Sequence, residues 1–237
     1  MTYFLSSSPC LLGEEKLNDA NGLVEKLRSA LPSPCRCLFI SSTRDKHSFT
    51  DGHGYAIKRS FEASGFEFSD YILLDGRNDN EAKALISSAE FIILAGGHVP
   101  TQLSFFNHIG LRELMENYKG VVLGISAGSM NSADTVYIQP EEPGESRPDF
   151  VRFSQGLGIT KQQILPHYNQ VKDNYLDGRR LFEDITYTDS IGHRFIVLSD
   201  GSYIHGENGK EFLCGEAWLI QNAEMSRICL ENQIIEI

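Results

Sequence analysis

Residues 121–129 read VVLGISAGS, a short apolar segment followed by Gly124, Ser126 and Gly128 in alternate positions. A buried strand, a Gly-x-Ser-x-Gly turn and a helix, in this order, form a nucleophile elbow. Small neighbours let the chain bend sharply there, so that the serine hydroxyl projects from the turn. The helix after the turn directs free backbone N–H groups towards a developing oxyanion. The stretch predicts a parallel sheet that carries Ser126 as a nucleophile; the alternative is a small-residue turn that only packs a helix on a sheet.

Short apolar segments alternate with amphipathic ones throughout the first half of the chain. Strands are predicted at residues 3–7, 36–41, 68–74, 91–95 and 121–125. Helices are predicted between them, at residues 17–31, 55–64, 80–89 and 101–118. Strands and helices that alternate with such connections form a parallel sheet with right-handed crossovers. We therefore expect an α/β fold with a mostly parallel central sheet and helices on both of its faces.

The second half of the chain is less regular. Residues 139–150 form an acidic, proline-rich loop, which is either the rim of an active site or a surface excursion. A strand end is predicted at residues 164–166 and a helix at residues 175–182. Further short strands are predicted at residues 195–198, 202–205, 211–214, 217–220 and 227–230. We expect a single α/β domain over residues 1–237 with a β-rich C-terminal part.

The composition argues against several classes of protein. Hydrophobic residues make up 41% and charged residues 22% of the chain, which is typical of a folded protein with a core. The net charge of −11 repels nucleic-acid phosphates, so we expect no nucleic-acid partner. There is no secretion signal, and no apolar segment approaches the ~20 residues of a membrane-spanning helix. We therefore expect no membrane partner and a cytoplasmic location.

The sequence also lacks the usual signals of a metal or a nucleotide. Its five cysteines are odd in number and show no CxxC spacing, which indicates reduced thiols. No cluster of histidine, cysteine and carboxylate suggests a metal. No Walker loop or Gly-x-Gly-x-x-Gly motif follows the first predicted strand. We expect no metal and no cofactor.

A pair of glycines, Gly96 and Gly97, follows the predicted strand at residues 91–95. Such a pair lets the backbone approach a ligand and turn an N–H group towards it. An oxyanion hole needs two donors, and the N–H of Ala127, directly after the elbow serine, is one candidate. Gly97 is the candidate for the other; a plain strand-to-helix turn accounts for it equally well.

A serine nucleophile needs a general base and an acid that orients it. Of seven histidines, His167 is favoured because it follows an apolar strand tip; His98, beside the glycine pair, is the rival. Asp200 is the favoured acid because it lies in the turn after an apolar strand, and Asp134 is its rival. An ordinary Asp-Gly turn also explains Asp200 without catalysis.

Together these motifs resemble the aspartyl dipeptidase (dipeptidase E) and cyanophycinase family of serine peptidases. The resemblance rests on residues 96–97, 124–129, 166–167 and 199–202, within a span of roughly 90 to 205. It implies a fold similar to that of class I glutamine amidotransferases, with serine in place of their cysteine nucleophile. It also implies cleavage beside aspartate, in Asp-X dipeptides or in the β-linked Asp-Arg units of cyanophycin.

Carried over by position, the resemblance implies these roles: Ser126 as nucleophile, His167 as general base, and the N–H groups of Gly97 and Ala127 as oxyanion donors. The acid of the family is usually a glutamate in the late strand-turn region, and Asp200 takes that position here. An alternative assignment places the acid shortly after the elbow, which favours Asp134 or Glu141.

Two departures from the family pattern concern the substrate. The glycine loop continues with His98-Val99, where the family commonly has a third glycine and an asparagine. An aspartyl side chain needs a cation or a fork of donors, and only Arg147 and Arg152 lie near the acidic loop in the sequence. Each is either that cation or a solvated surface residue, and the substrate-binding residues are left unassigned.

The sequence thus predicts a serine peptidase that hydrolyses small peptides, in particular dipeptides with N-terminal aspartate, through an acyl-enzyme. We expect it to be a monomer or a homodimer. One alternative is an α/β-hydrolase-type esterase, in which the acid normally precedes the histidine, the reverse of the order of His167 and Asp200. The other is a non-catalytic binding or regulatory protein with the same fold.

Overall fold

The computed structural model describes residues 1–10 and 15–237. Its strands are β1 (Thr2–Ser6), β2 (Cys35–Ile40), β3 (Phe68–Leu74), β4 (Phe91–Leu94), β5 (Val121–Ile125), β6 (Thr135–Tyr137), β7 (Phe153–Gln155), β8 (Gln163–Leu165), β9 (Tyr175–Leu176), β10 (Arg179–Arg180), β11 (Arg194–Leu198), β12 (Tyr203–Glu207), β13 (Lys210–Cys214), β14 (Ala217–Gln221), β15 (Glu224–Cys229) and β16 (Ile234–Glu236).

The α-helices are α1 (Leu23–Ala30), α2 (His47–Ala63), α3 (Ala82–Ser88), α4 (Val99–His108), α5 (Leu111–Met115), α6 (Ala127–Asn131), α7 (Tyr168–Val171) and α8 (Tyr187–Asp189). Short 3-10 turns precede two of them, at Ala20–Gly22 and Asp79–Glu81, and Leu181–Thr186 is π-helical. Among the residues that the structure describes, no helix is both long and apolar enough to cross a bilayer.

Eight strands form the central sheet, in the order β16-β13-β12-β1-β5-β4-β2-β3. The five strands from β1 to β3 in this order are mutually parallel, whereas β12, β13 and β16 add an antiparallel extension beside β1. The carboxyl ends of β1, β4 and β5 therefore meet at one edge, where open α/β sheets bind their ligands. The predicted mostly parallel α/β fold is confirmed.

Helices cover both faces of the parallel strands because neighbouring strand residues point in opposite directions. Ile93 and Leu123 belong to the core that includes α1 and α2, together with the free thiols of Cys35 and Cys37. The adjacent residues Ile92 and Val122 belong to the core formed with α3, α4 and α5. The continuous apolar runs of β4 and β5 are thus the signature of strands that are buried on both sides.

A second sheet, ordered β15-β14-β11-β8, packs against the antiparallel extension of the first. Ile164 and Ile196 from this sheet share a buried core with Leu5 and Ile204 from the central sheet. Strands β8 and β11 are parallel to each other. Their carboxyl ends lead to His167 and Asp200, so this sheet carries both residues to the edge where β5 ends.

The predicted helix at residues 175–182 is wrong. The chain forms a hairpin of β9 and β10 there, followed by the π-helical turn. Asp177 and Gly178 adopt φ values of 50° and 80°, as the central residues of a type I′ turn do. An Asp-Gly pair is a strong hairpin signal, and it accounts for the hairpin in place of the predicted helix.

Three other helix predictions differ from the structure at their ends. The first helix begins at Leu23 rather than at residue 17, and α2 begins at His47, eight residues before the predicted start. Gly52 and Gly54 weaken the helical signal over the first turns of α2. The predicted helix at 101–118 is divided into α4 and α5 because Gly110 has a φ of 63°, which ends the first segment.

We predict that Phe61→Ala destabilises the protein by about 3–5 kcal/mol, because this α2 side chain is fully buried among Phe66, Phe68 and Phe91. Urea unfolding followed by circular dichroism measures the change. The matched control is Phe49→Ala on the same helix, where half of the residue is exposed and the expected loss is below about 1 kcal/mol. Equal losses in the two variants would contradict the core assigned to α2.

Candidate functional site

Ser126 lies at a strained bend between β5 and α6. Its backbone has φ 50° and ψ −113°, a region that L-residues rarely occupy and that costs about 1–3 kcal/mol. The Ser126 N–H donates to the carbonyls of Ser6 and Ser7, at 3.1 and 3.2 Å. The Ser126 carbonyl accepts the N–H groups of Ser129 and Met130 and so begins α6. Hydrogen bonds on both sides therefore hold the bend in place.

The second glycine of the motif is required by a close approach of helix α6 to strand β4. A Cβ at Gly128 would lie only 2.3 Å from the carbonyl oxygen of Leu94, at the end of β4. The Leu94 backbone cannot shift to make room for a Cβ, as the end of a flexible side chain could. The glycine spacing that predicted the elbow thus has its physical cause in the contact between α6 and β4.

The two predicted oxyanion donors lie in the turns that follow the neighbouring strands β4 and β5. Gly97 has a φ of 155°, and a Cβ there would lie 2.3 Å from the Ser42 Oγ, so only glycine fits this loop. Ala127 is the first residue of α6. Within residues 1–10 and 15–237, neither the Gly97 N–H nor the Ala127 N–H donates a hydrogen bond to another residue. In the described part of the chain, both N–H groups are thus without a hydrogen-bond partner.

His167 and Asp200 form a hydrogen-bonded pair. The His167 Nδ1 lies 2.7 Å from the Asp200 Oδ1, so the carboxylate accepts the Nδ1 proton, while Nε2 bonds to no described residue. His167 has a φ of 59° directly after β8, and its carbonyl accepts N–H groups from Gln170 and Val171 at the start of α7. A strand end and a helix start thus fix the imidazole from both sides.

Ser7, just past the end of β1, joins this pair to the elbow. Its Oγ donates to the Asp200 Oδ1 at 2.6 Å and accepts the backbone N–H of His167 at 2.7 Å. Its carbonyl accepts the Ser126 N–H. No local motif singles out Ser7 in the sequence, although its place at the carboxyl end of a central parallel strand is a usable signal.

Asp200 is held as a carboxylate. Burial raises the pKa of Asp200, but hydrogen bonds from His167 and Ser7, the charge of His167 and a hydrogen bond from the Gln170 Nε2 outweigh it, so that the pKa lies below its ordinary value. Gln170 was also missed; it lies three residues after His167, one helical turn along α7. A carboxylate that stays ionised at neutral pH can keep the imidazole in one tautomer.

Ser126, His167 and Gly97 line one cavity of about 180 Å³. Its other lining residues are Val99, Met130, Gln139, Pro140, Glu141, Pro166, Val171, Asn174, Tyr175, Leu176 and Leu181. The Ser126 Oγ makes no hydrogen bond to any described residue and is available to a ligand. The structure therefore brings the predicted nucleophile, base and one oxyanion donor to a common space.

The hairpin of β9 and β10 forms one wall of this cavity and is fastened to the acidic loop. The Asp177 carboxylate accepts the N–H of Gly144 at 2.9 Å and both the N–H and the Oγ–H of Ser146. Tyr175 and Leu176, on the first strand of the hairpin, face the cavity. The loop at residues 139–150, predicted as either a rim or a surface excursion, is thus a rim of this space.

The rival residues are occupied elsewhere. His98 Nδ1 lies 2.8 Å from the Thr101 Oγ1, and its Nε2 lies 2.9 Å from the Glu145 Oε1. Asp134 pairs with Arg112 at 2.6 Å and is exposed. Glu141 lines the cavity, but the described hydrogen bonds of His167 Nδ1 go to Asp200 and not to Glu141.

One set of side chains with metal-ligating atoms does come together in the described part of the chain. His98, Glu142 and Glu145 place one such atom each within 4.8 Å of one another. Glu145 is already engaged, since its Oε1 pairs with His98 and its Oε2 accepts the N–H groups of Glu141 and Glu142. These contacts account for the arrangement as a brace between α4 and the acidic loop.

We predict that Ser7→Ala costs about 1–3 kcal/mol of unfolding free energy, because it leaves the His167 N–H without its acceptor and removes one of the hydrogen-bond donors to Asp200. Urea unfolding at neutral pH measures the loss. The control is Ser29→Ala on the exposed side of α1, where a change within about 0.5 kcal/mol is expected. A loss no larger than that of the control would contradict the bridging role of Ser7.

We predict that Asp200→Asn weakens the dependence of the unfolding free energy on pH in the acid range. Because the folded-state pKa of Asp200 is lowered, its contribution is present above the ordinary carboxyl range near pH ~4 and is lost as the pH falls through the lowered value. Unfolding free energies of wild type and variant, measured from pH ~6 to ~2, should converge in acid. A constant difference over this range would show that no such linkage exists.

Comparison with known proteins places the chain in a protein family. The model of "Peptidase family S51" matches residues 4–213 of the chain. No curated protein sequence matches it significantly. Among solved structures, a peptidase from an acI-B1 Actinobacterium is similar with a TM-score of 0.70 and 17% identity, over 100% of this chain and 96% of that one. A candidate peptidase E protein from Listeria monocytogenes EGD-e is similar with a TM-score of 0.61 and 16% identity, over 96% and 98% of the two chains.

The two structural similarities, at such low identity, concern the fold, whereas the family match covers most of the sequence and includes the elbow, the glycine pair and both members of the His167–Asp200 pair. This agrees with the resemblance drawn from the motifs. The chain belongs to peptidase family S51 and is a serine-type peptidase.

Proposed function

We propose that this peptidase hydrolyses small peptides, dipeptides above all, through a Ser126-His167-Asp200 triad and an acyl-enzyme. The observation that carries the proposal is the shared cavity of Ser126 and His167, with Asp200 hydrogen-bonded to the imidazole nitrogen on the far side. This is the arrangement of roles by which a triad is recognised, irrespective of sequence order.

The reaction proposed begins with the attack of the Ser126 hydroxyl on the scissile carbonyl, while His167 Nε2 takes its proton. Asp200 keeps the Nδ1 proton in place and stabilises the imidazolium that forms. His167 then passes the proton to the leaving amine as the peptide C–N bond breaks. Water, deprotonated by His167, finally attacks the acyl-enzyme ester and releases Ser126.

The oxyanion formed in each addition step would accept the N–H groups of Gly97 and Ala127. Both groups are without a partner in the described part of the chain, and both lie on backbone that is fixed, one by a loop that only glycine fits and the other by the start of α6. Preorganised donors of this kind stabilise charge as it develops and need no reorganisation during the reaction.

The size of the cavity supports a small substrate. Its volume of about 180 Å³ is below the ~300–1,000 Å³ of sites that hold drug-sized ligands. The preference for N-terminal aspartate rests on the resemblance alone and is not part of this proposal. An aspartyl carboxylate needs a counter-charge, and of the described lining residues none is lysine or arginine.

We expect Ser126→Ala to lower kcat for dipeptide hydrolysis by roughly 10⁴- to 10⁶-fold with the fold intact, because the hydroxyl that forms the acyl-enzyme is lost. A fluorophosphonate probe should label wild type at Ser126 and fail to label the variant, as mass spectrometry of tryptic peptides will show. Unchanged hydrolysis in the variant would end the assignment of the nucleophile.

The matched pair for the base is His167→Ala and His98→Ala. The first should lower kcat almost as far as Ser126→Ala does, whereas the second should have a much smaller effect because both ring nitrogens of His98 serve the loop contacts. The reverse ranking would make His98 the base.

A further inference from the structure

The charge lining the proposed active-site cavity is negative. Of the described residues around it, none is lysine or arginine, and Glu141 is the only carboxylate. Glu142 and Glu145 follow in the same loop and add further negative charge beside it. A substrate that places a carboxylate in this space meets like charge without a partner, which is unfavourable in a partly desolvated site.

The nearby arginines are engaged outside the cavity. The Arg152 Nε pairs with Asp189 at 2.9 Å, and its other nitrogens donate to carbonyls of the acidic loop. Arg180 pairs with Asp184, and Arg179 donates to the carbonyls of Ser146 and Asp184. Each of these guanidinium groups therefore already has a structural partner.

Arg147, the other cation considered from the sequence, is exposed, and its charge acts on Asp177, where it helps to lower the pKa of that carboxyl. Asp177 belongs to the contact that fastens the hairpin to the loop. Like Arg152, Arg147 is absent from the described lining of the cavity. Neither arginine supplies the counter-charge that an aspartyl side chain requires.

Glu141 lines the cavity and can contact a substrate that enters it. Its backbone N–H is held by the Glu145 Oε2 at 2.8 Å, whereas its own carboxylate accepts no hydrogen bond from the described residues. Desolvation, with the charges of Glu145 and Glu142, raises the pKa of Glu141, and His98 and His167 oppose this. Glu141 and His167 line the same cavity, and the Glu141 carboxylate forms no ion pair with any described residue.

We infer that Glu141 binds a positively charged group on the acyl residue of the substrate, either its α-ammonium or a basic side chain, and that the cavity rejects N-terminal aspartate. The inference rests on the proposed function for its setting, since it names the substrate class of the same site. It assigns Glu141 to substrate recognition rather than to the triad, because Asp200 already occupies His167 Nδ1.

The test measures kcat/KM for four dipeptides that differ only at the first residue: Lys-Leu, Met-Leu, Asn-Leu and Asp-Leu. Lysine and methionine are similar in length and differ in charge, and asparagine and aspartate are nearly isosteric. We expect wild type to favour Lys-Leu over Met-Leu by about threefold to tenfold and Asn-Leu over Asp-Leu by about tenfold. N-acetylated Lys-Leu and Met-Leu separate the contribution of the side chain from that of the α-ammonium.

Glu141→Gln should reduce the preference for the charged substrates, so that the Lys-Leu to Met-Leu ratio, or the ratio of free to acetylated Met-Leu, falls to about one. Glu141→Asp should restore part of it. Glu142→Gln is the matched control for charge in the loop: Glu142 is exposed, as Glu141 is, but it does not line the cavity, so its ratios should fall much less than those of Glu141→Gln. An equal fall in kcat/KM for all four dipeptides in Glu141→Gln would overturn the inference, and so would a preference of wild type for Asp-Leu over Asn-Leu.

Calorimetric titration with lysine amide and aspartate amide separates this inference from the proposed function. These ligands carry the acyl-side charge but report binding without turnover. Tighter binding of lysine amide that is lost in Glu141→Gln supports the inference even if the fluorophosphonate fails to label Ser126, in which case only the proposed function falls. If the probe labels Ser126 but lysine amide and aspartate amide bind with equal affinity, the inference is overturned and the proposed function is not.

Discussion

The contacts of Ser7 are the constraint on which the site depends. Ser7 follows β1 at the centre of the large sheet, and its carbonyl holds the N–H of the strained Ser126 while its hydroxyl joins Asp200 to the backbone of His167. Three segments that are distant in the sequence thus meet at one small side chain. Because Ser7 is fully buried, these bonds exchange little with water and fix the relative position of the groups.

The second sheet explains how a strand end can present a base to a nucleophile on another sheet. Leu5 and Ile204 on the central sheet pack against Ile164 and Ile196 on the smaller one, so the two sheets are joined through a buried apolar layer. Such layers are close-packed and deform little. The position of His167 relative to Ser126 is therefore set by core packing that lies beneath the cavity rather than by the loops around it.

Local signals predicted much of this architecture. The five parallel strands are long apolar runs with clear boundaries, and the elbow depends on glycines whose spacing has one dominant meaning. Strands β6, β7 and β16 were missed because three residues carry too little periodicity to stand out. The hairpin at residues 175–180 could have been predicted from its Asp-Gly turn, which is a strong local signal in the sequence.

The candidate site could be predicted only for residues that lie in recognisable turns. Ser126, His167 and Asp200 each follow an apolar strand, and the structure brings the last two into contact. Ser7 and Gln170 act through contacts across the fold, which no local pattern encodes. The charge of the cavity was equally hidden, because it depends on which arginines find partners elsewhere, as Arg152 does with Asp189.

The hydrogen bonds of Asp177 that hold the hairpin in place limit which substrates can reach Ser126. With the hairpin tied to residues 144–146, the space above Ser126 is a narrow recess bounded by two anchored segments. The surface of a folded protein is too broad to enter this recess. For the proposed peptidase, such a recess favours unstructured peptide fragments as substrates over folded proteins.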